Sequence, residues 1–138
     1  MKPDRVVLDT NVFISLILTR RLDRLVAWHK DNNVRIYTCE ELLEELKEVL
    51  ARKHIKKNLT QPLSAYLRFI KSVTTEVVID PRFDRAPDLK DNFLFDWAYT
   101  TKSHFVVTGD RPLLNMKQVN RIKVVSLSEW QKSMLSTE

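Results

Sequence analysis

The sequence predicts an α/β fold in which a central, mainly parallel β-sheet is covered by helices on both faces. Short β-branched apolar runs alternate with segments of helical periodicity, and these runs are apolar at nearly every position, as in strands buried on both faces. The chain has 138 residues, the size of one ordinary domain with one core, and no linker-like stretch divides it. We therefore predict a single domain over residues 1–138 with a three-layer α/β/α architecture.

The predicted strands are the short apolar runs. Four of them are predicted to form the core of the sheet, at residues 5–8, 34–38, 104–108 and 122–125. A fifth candidate, at residues 77–79, is closed by Asp80 and Pro81. Because proline cannot donate a backbone hydrogen bond, this fifth strand is expected at an edge or at a strand end.

The predicted helices lie between these strands. Apolar residues at i, i+3, i+4 and i+7 predict a helix over residues 42–50, and the Thr-Cys-Glu-Glu sequence at 38–41 has the capping-box pattern. Similar periodicity predicts helices over residues 22–30, 63–73 and 93–101, and Ser-Leu-Ser-Glu at 126–129 opens a short terminal helix. Alternation of strands and helices is thus sustained along the chain.

Composition and charge exclude several classes of protein. Apolar runs such as residues 12–18 are shorter than the roughly 20 residues that cross a bilayer, and no signal-peptide pattern opens the chain, so we expect a cytoplasmic protein with no membrane association. A single glycine excludes glycine-rich nucleotide-binding loops, and the three histidines lack zinc-ligand spacing. Cys39 is expected to be a buried apolar residue. The net charge of +5 favours anionic partners.

Acidic residues near the ends of the predicted strands form the candidate site. Asp9 follows the first strand and Asp110 comes two residues after another, so a parallel sheet places both at the edge where ligands of such sheets bind. Asp91 opens a predicted helix, and Glu45 lies near the apolar stripe of a second one. Each acid alone could be a helix cap, a turn residue or a solvated side chain. Clustered, a pair ~4 Å apart would repel by about 4 kcal/mol at an effective dielectric of about 20, which favours a bound cation such as Mg²⁺ or Mn²⁺.

Basic residues fall in two short runs. An acidic pocket in an otherwise basic protein suits a metal-dependent enzyme that acts on a polyanion, because cationic side chains hold phosphates while metal ions bridge the carboxylates and the scissile phosphate. The alternative for either run is a solvated helix end. The candidate RNA-binding residues are Arg20, Arg21, Arg52, Lys53, Lys56 and Lys57.

Four segments resemble, in order and spacing, the PIN-domain ribonucleases. They are VVLDTNV at residues 6–12, LLEELKEVL at 42–50, DLKDNFL at 88–94 and VVTGD at 106–110. The resemblance extends over residues 6–127, and it is strongest to the small single-domain members that are toxins of prokaryotic toxin–antitoxin pairs. It implies a three-layer α/β/α fold, hydrolysis of single-stranded RNA with Mg²⁺ or Mn²⁺, formation of homodimers or higher homo-oligomers, and a cognate antitoxin protein.

The resemblance also implies roles for individual residues. Asn11 and Thr108 match positions that support the first and last acids through hydrogen bonds. Asp88 and Asp96 are further acids near the third segment, and either could extend the site or replace Asp91. The residues that match the metal-binding and catalytic acids of the family are Asp9, Glu45, Asp91 and Asp110.

Other readings of the same residues remain open. A phosphatase of the haloacid-dehalogenase type also ends its first strand in Asp, but it needs a second Asp two residues later, where this chain has Asn11, and the chain is short for a cap domain. A phosphoacceptor receiver domain needs paired N-terminal acids and a buried lysine after a late strand. A PIN-like module that binds RNA or protein without cleaving it is the main alternative.

Overall fold

The computed structural model describes residues 3–79 and 92–136. Strands alternate with helices along these ranges, as the sequence predicts. The elements are β1 (Asp4–Leu8), α1 (Thr10–Leu18), α2 (Arg24–Asp31), β2 (Val34–Cys39), α3 (Glu40–Leu50), α4 (Lys53–Lys56), α5 (Leu63–Val73), β3 (Thr75–Val77), α6 (Asn92–Thr100), β4 (Phe105–Val107), α7 (Arg111–Leu114), β5 (Gln118–Val119), β6 (Ile122–Val125) and α8 (Leu127–Ser136).

The strands form one sheet in the order β3-β2-β1-β4-β6-β5. All neighbouring pairs are parallel except β5 and β6, which pair antiparallel at one edge. In β1, Leu8 is in register with Val107 of β4, and Val7 is in register with Tyr37 of β2. The carboxyl ends of these central strands therefore lie together.

Helices cover both faces of the central strands. Val6, Val7 and Leu8 of β1 are each 0% exposed, and because successive side chains of a strand point to opposite faces, neither face of β1 is open to water. Helix α6 packs across β1, β4 and β6, while α2 and α3 pack against β2. The predicted α/β class with a mainly parallel sheet is confirmed.

The core is continuous and largely apolar. Trp28 of α2 and Trp130 of α8 make an edge contact with ring centroids 4.9 Å apart, which ties the terminal helix to the rest of the chain. Cys39 is fully buried, as predicted. Across residues 3–79 and 92–136, no helix has both the length and the hydrophobicity required to cross a bilayer.

Two local predictions were wrong, and one helix was not predicted. The edge strand β3 lies two residues earlier than predicted, because α5 ends at Val73 and Thr75 is in register with Tyr37 of β2. The capping box does not form: Cys39 occupies the N-cap position without a side-chain cap, and the Thr38 hydroxyl lies 3.2 Å from the Thr74 hydroxyl instead. Helix α1, which follows Asp9 directly, was not identified by periodicity.

Candidate active site

The candidate site lies where the strand order of the sheet reverses. From β1 the chain builds outward through β2 and β3 on one side, and β4 then pairs with the other side of β1. Such a switch point opens a crevice at the carboxyl ends of the strands. Asp9 directly follows β1, and its backbone N–H donates to the Val107 carbonyl of β4 at 2.8 Å. Asp110 follows β4, so the two acids stand on adjacent strand ends.

The Asp9 carboxylate is buried and held by three hydrogen bonds. Its Oδ1 accepts from the backbone N–H of Thr10 at 2.7 Å, which caps α1. Its Oδ2 accepts from the Asn11 amide at 3.1 Å and from the Thr108 hydroxyl at 2.7 Å. The ordinary role as a helix cap and the position in the candidate site therefore coexist in one side chain.

Asn11 and Thr108 also fix the loop that carries Asp110. The Asn11 Oδ1 accepts from the Gly109 N–H at 3.1 Å, and the Thr108 hydroxyl accepts from the Asp110 N–H at 3.1 Å. Each side chain thus contacts the Asp9 carboxylate and the loop after β4 at the same time. These contacts set the spacing between the two acids, and a role of Asn11 and Thr108 in catalysis remains a prediction.

Asp9, Glu45 and Asp110 line one cleft of about 380 Å³. Glu45 and Val49 reach it from α3 at the i, i+4 spacing of one helix face. Arg52, which immediately precedes α4, also lines it. Buried Leu42, Leu43, Leu46 and Leu50 turn the other side of α3 toward the core. Thr10, Asn11 and Ile14 of α1 complete the lining.

Burial and mutual repulsion disfavour the charged forms of two of the acids. Burial raises the pKa of Asp9 above its ordinary value, the nearby charge of Asp110 adds to this, and the Thr108 hydrogen bond partly opposes it. Partial burial of the carboxyl group, followed by the charge of Asp9, raises the pKa of Glu45, whereas the Thr10 hydroxyl and, more weakly, Arg52 lower it. A cation in the cleft would relieve both effects.

The oxygen atoms of the cleft fit a hard divalent cation. A carboxylate offers about four lone-pair positions, and Asp9 uses three of them, so Oδ1 keeps one for a ligand. The buried Thr10 hydroxyl lines the same cleft and lies close enough to Glu45 to lower the pKa of that carboxyl. Within those ranges, no three His, Cys, Asp or Glu residues lie close enough to hold an ion by themselves. An all-oxygen set of this kind suits Mg²⁺ or Mn²⁺ completed by water, substrate or further acids.

Of the remaining acidic candidates, Asp96 is the one that lies in the described part of the chain. Asp88 and Asp91 lie outside the described residues. Asp96 is buried in α6, the helix that packs across β1, β4 and β6, and it does not line the cleft.

The basic candidates are divided by the fold. Arg52 lines the acidic cleft, whereas Lys56 lines a separate groove beside Leu59 and Leu63. Arg20 lies at the far end of α1, near Tyr66. Arg21, Lys53 and Lys57 are exposed and do not line the cleft.

Sequence reasoning missed three lining residues. Thr10, Ile14 and Val49 carry no charge and were not candidates, although each has a positional signal. Thr10 is adjacent to Asp9, Ile14 comes one helical turn later, and Val49 follows Glu45 by four residues. The lining residues of the cleft follow from these spacings once both helices are placed.

Comparison with known proteins gives two matches. The sequence profile described as "PIN domain" matches residues 5–112. The chain is also 28% identical over 125 residues to Uncharacterized protein MJ1680 of Methanocaldococcus jannaschii, an alignment that covers 85% of this chain and 77% of that protein. The profile match contains Asp9, Glu45, Asp91 and Asp110.

Proposed function

This chain belongs to the PIN-domain family, and from that premise we propose that it is a metal-dependent endoribonuclease that hydrolyses phosphodiester bonds of single-stranded RNA. PIN domains are in general metal-dependent nucleases. The observation that carries the proposal is the cleft at the switch point of the sheet, where the buried Asp9 lies together with Glu45 and Asp110. We treat residues 1–138 as a single PIN-like domain.

The proposed metal ligands are Asp9, Glu45, Asp91 and Asp110. Asp9 offers Oδ1, while Asn11 and Thr108 occupy its Oδ2 and so fix the orientation of the carboxylate. Glu45 completes the site directly or through a water molecule. A bound Mg²⁺ or Mn²⁺ lowers the pKa of water and neutralises charge that develops on the phosphate oxygens. The expected products carry a 5′-phosphate and a 3′-hydroxyl.

Cleavage of a labelled single-stranded RNA tests the proposal. Glu45→Gln and Asp110→Asn each remove one carboxylate charge from the cleft, and we expect either to reduce Mg²⁺- or Mn²⁺-dependent cleavage by at least ~100-fold. The matched control is Glu44→Gln, since Glu44 precedes Glu45 on α3, is exposed and does not line the acidic cleft. Unchanged cleavage by both acid variants, with the chelated protein also active, would overturn the assignment.

The third segment needs its own experiment. We propose that Asp91 is the metal ligand contributed by this segment, because Asp91 matches the family position and Asp96 does not line the cleft. Asp88→Asn, Asp91→Asn and Asp96→Asn can be compared under identical conditions. Loss of cleavage in the Asp88 or Asp96 variant but not in the Asp91 variant would move the role to another acid.

We further propose that the protein is the toxin of a toxin–antitoxin pair and forms a homodimer or a higher homo-oligomer. The resemblance to small single-domain toxins supports both statements. Induced expression is expected to arrest growth, co-expression of the adjacent gene to relieve the arrest, and Asp110→Asn to remove it. Light scattering gives the oligomeric state. RNA binding without cleavage under any metal condition would instead identify a non-cleaving module.

A further inference from the structure

The acidic cleft extends as a groove between α1 and α3. These helices follow β1 and β2, which are adjacent and parallel, so both begin at the same edge of the sheet and pack against each other. Residues that line the cleft recur along both helices at one-turn spacing, with Ile14 following Thr10 on α1 and Val49 following Glu45 on α3. The polar end therefore continues into an apolar floor.

Arg52 lies at the far end of this groove in a fixed backbone position. Its N–H donates to the Val49 carbonyl at 3.1 Å, and its own carbonyl accepts from Ile55 at 3.0 Å and from Lys56 at 2.8 Å. Arg52 stands two residues beyond the end of α3, with extended backbone at the N-cap of the short helix α4. Its side chain is exposed and carries a positive charge. Among the described residues that line the cleft, Arg52 is the one basic side chain.

The neighbouring surface of α3 is unsuited to a polyanion. Glu41, Glu44 and Glu48 line the adjacent groove, where Lys47 is the one basic residue among its described lining. A strand of RNA that leaves the acidic cleft across this surface would meet several carboxylates. Charge complementarity instead favours a path along the α1–α3 groove toward Arg52.

We propose that Arg52 binds a phosphate of the RNA strand close to, but distinct from, the scissile phosphate, and that the strand lies along the groove between α1 and α3. Arg52 is in this view a substrate-positioning residue, whose planar guanidinium can hold two phosphate oxygens at once. Ile14 and Val49 offer an apolar surface to a ribose or a base. The inference rests on the proposed function in one respect, since it assumes that the scissile phosphate binds at the acidic residues.

The first test measures RNA binding separately from cleavage. A fluorescent oligouridylate is titrated in Mg²⁺ at several salt concentrations, with Asp110→Asn as the parent protein so that the RNA stays intact. Adding Arg52→Gln should weaken binding by ~10-fold and reduce the slope of log affinity against log salt by about 0.7, the value for one phosphate of a single strand. Arg68→Gln is the matched control, because exposed Arg68 of α5 does not line the cleft. Equal slopes for the Arg52 and Arg68 variants, or no RNA binding by the parent, would overturn the inference.

The second test uses the cleaving protein. Arg52→Gln should raise KM by ~10-fold and leave kcat within about threefold, whereas Arg52→Lys should keep the salt slope with a smaller rise in KM. A fall in kcat at unchanged KM would mean that Arg52 acts on the acids and would overturn the inference. If Arg52→Gln does not unfold cooperatively, Arg52→Lys carries the test, and an unchanged affinity in that variant contradicts bidentate binding. If the wild-type protein cleaves RNA efficiently but the Arg52 and Arg68 variants have equal salt slopes, this inference alone is refuted. If those slopes differ but the wild-type protein cleaves no RNA, the proposed function alone is refuted.

Discussion

Replacing Thr108 with valine should reveal how much of the stability depends on the hydrogen bonds around Asp9. Valine has nearly the same shape, but it removes the hydroxyl that donates to Asp9 at 2.7 Å and accepts from the Asp110 N–H at 3.1 Å. A hydrogen bond to a charged group contributes about 1.5–3 kcal/mol and a neutral one about 0.5–1.5 kcal/mol. The expected loss near neutral pH is therefore about 2–4 kcal/mol in the free energy of unfolding.

Thr108→Ser separates the hydroxyl from the methyl group of the fully buried Thr108. Serine keeps both hydrogen bonds and loses one buried methyl group, at a cost of about 1 kcal/mol. Urea unfolding should therefore place the valine variant below the serine variant by about 1–3 kcal/mol near neutral pH, which is roughly 4–12 °C in Tm for a chain of this size.

The difference in stability between the valine and serine variants should depend on pH. The Thr108 hydroxyl lowers the pKa of Asp9, so its removal raises that pKa further and mainly penalises the charged carboxylate. In metal-free protein the gap between the valine and serine variants should shrink as the pH falls through the raised pKa of Asp9 and the carboxylate becomes neutral. Equal stabilities near neutral pH, or a gap that widens toward acid, would refute the reasoning.

Three further outcomes are expected. The folded-state pKa of Glu45 lies above its ordinary value of 4.5, so the contribution of Glu45 to the stability of the metal-free protein falls as the pH rises through that folded-state pKa. Glu45→Gln should therefore flatten the curve of stability against pH in this range. Mn²⁺ should raise the Tm of the wild-type protein near neutral pH but not near pH 4. Burial raises the pKa of the Cys39 thiol to about 12, so a thiol reagent should label Cys39 only on unfolding, and rapid labelling of folded protein would contradict its burial. Gly109→Ala should unfold within about 1 kcal/mol of the wild type in urea, because the backbone is not in the left-handed region and the added Cβ would lie 3.6 Å from Asn11 Oδ1; a larger loss would contradict that geometry.

The strands and the acids that follow them were predictable because their signals are local. Residues 6–8 and 105–107 are continuous apolar runs, and a parallel sheet then brings Asp9 and Asp110 to one edge regardless of the remaining details. The same logic failed for α1. Residues 12–18 are apolar at six of seven positions, so they carry no helical period, although Leu18 at the end of the helix is 37% exposed.

Features that depend on tertiary neighbours could not be predicted in this way. Thr38 has the sequence context of a helix cap, but it is fully buried beside Thr74, a residue 36 positions away. Likewise, the basic run at 52–57 gives no hint that Arg52 faces the acids while Lys56 faces another groove. That division depends on where α3 ends, and helix ends are set by packing as much as by sequence.

Because one carboxylate both begins α1 and stands among the proposed ligands, the familiar Asp-to-Asn exchange at position 9 is not a neutral way to silence the protein. An asparagine side chain has a single acceptor oxygen, whereas Asp9 accepts hydrogen bonds on both of its oxygens. In Asp9→Asn the NH₂ group would therefore point its hydrogens at other donors, either the Thr10 N–H or the Asn11 amide and Thr108 hydroxyl. A loss of activity in that variant could then come either from the missing carboxylate or from a destabilised first turn of α1. At position 110 the hydrogen bonds to Thr108 and Leu114 are made by the backbone N–H and carbonyl, which asparagine keeps, so this position is the better choice for an inert reference protein in cellular work.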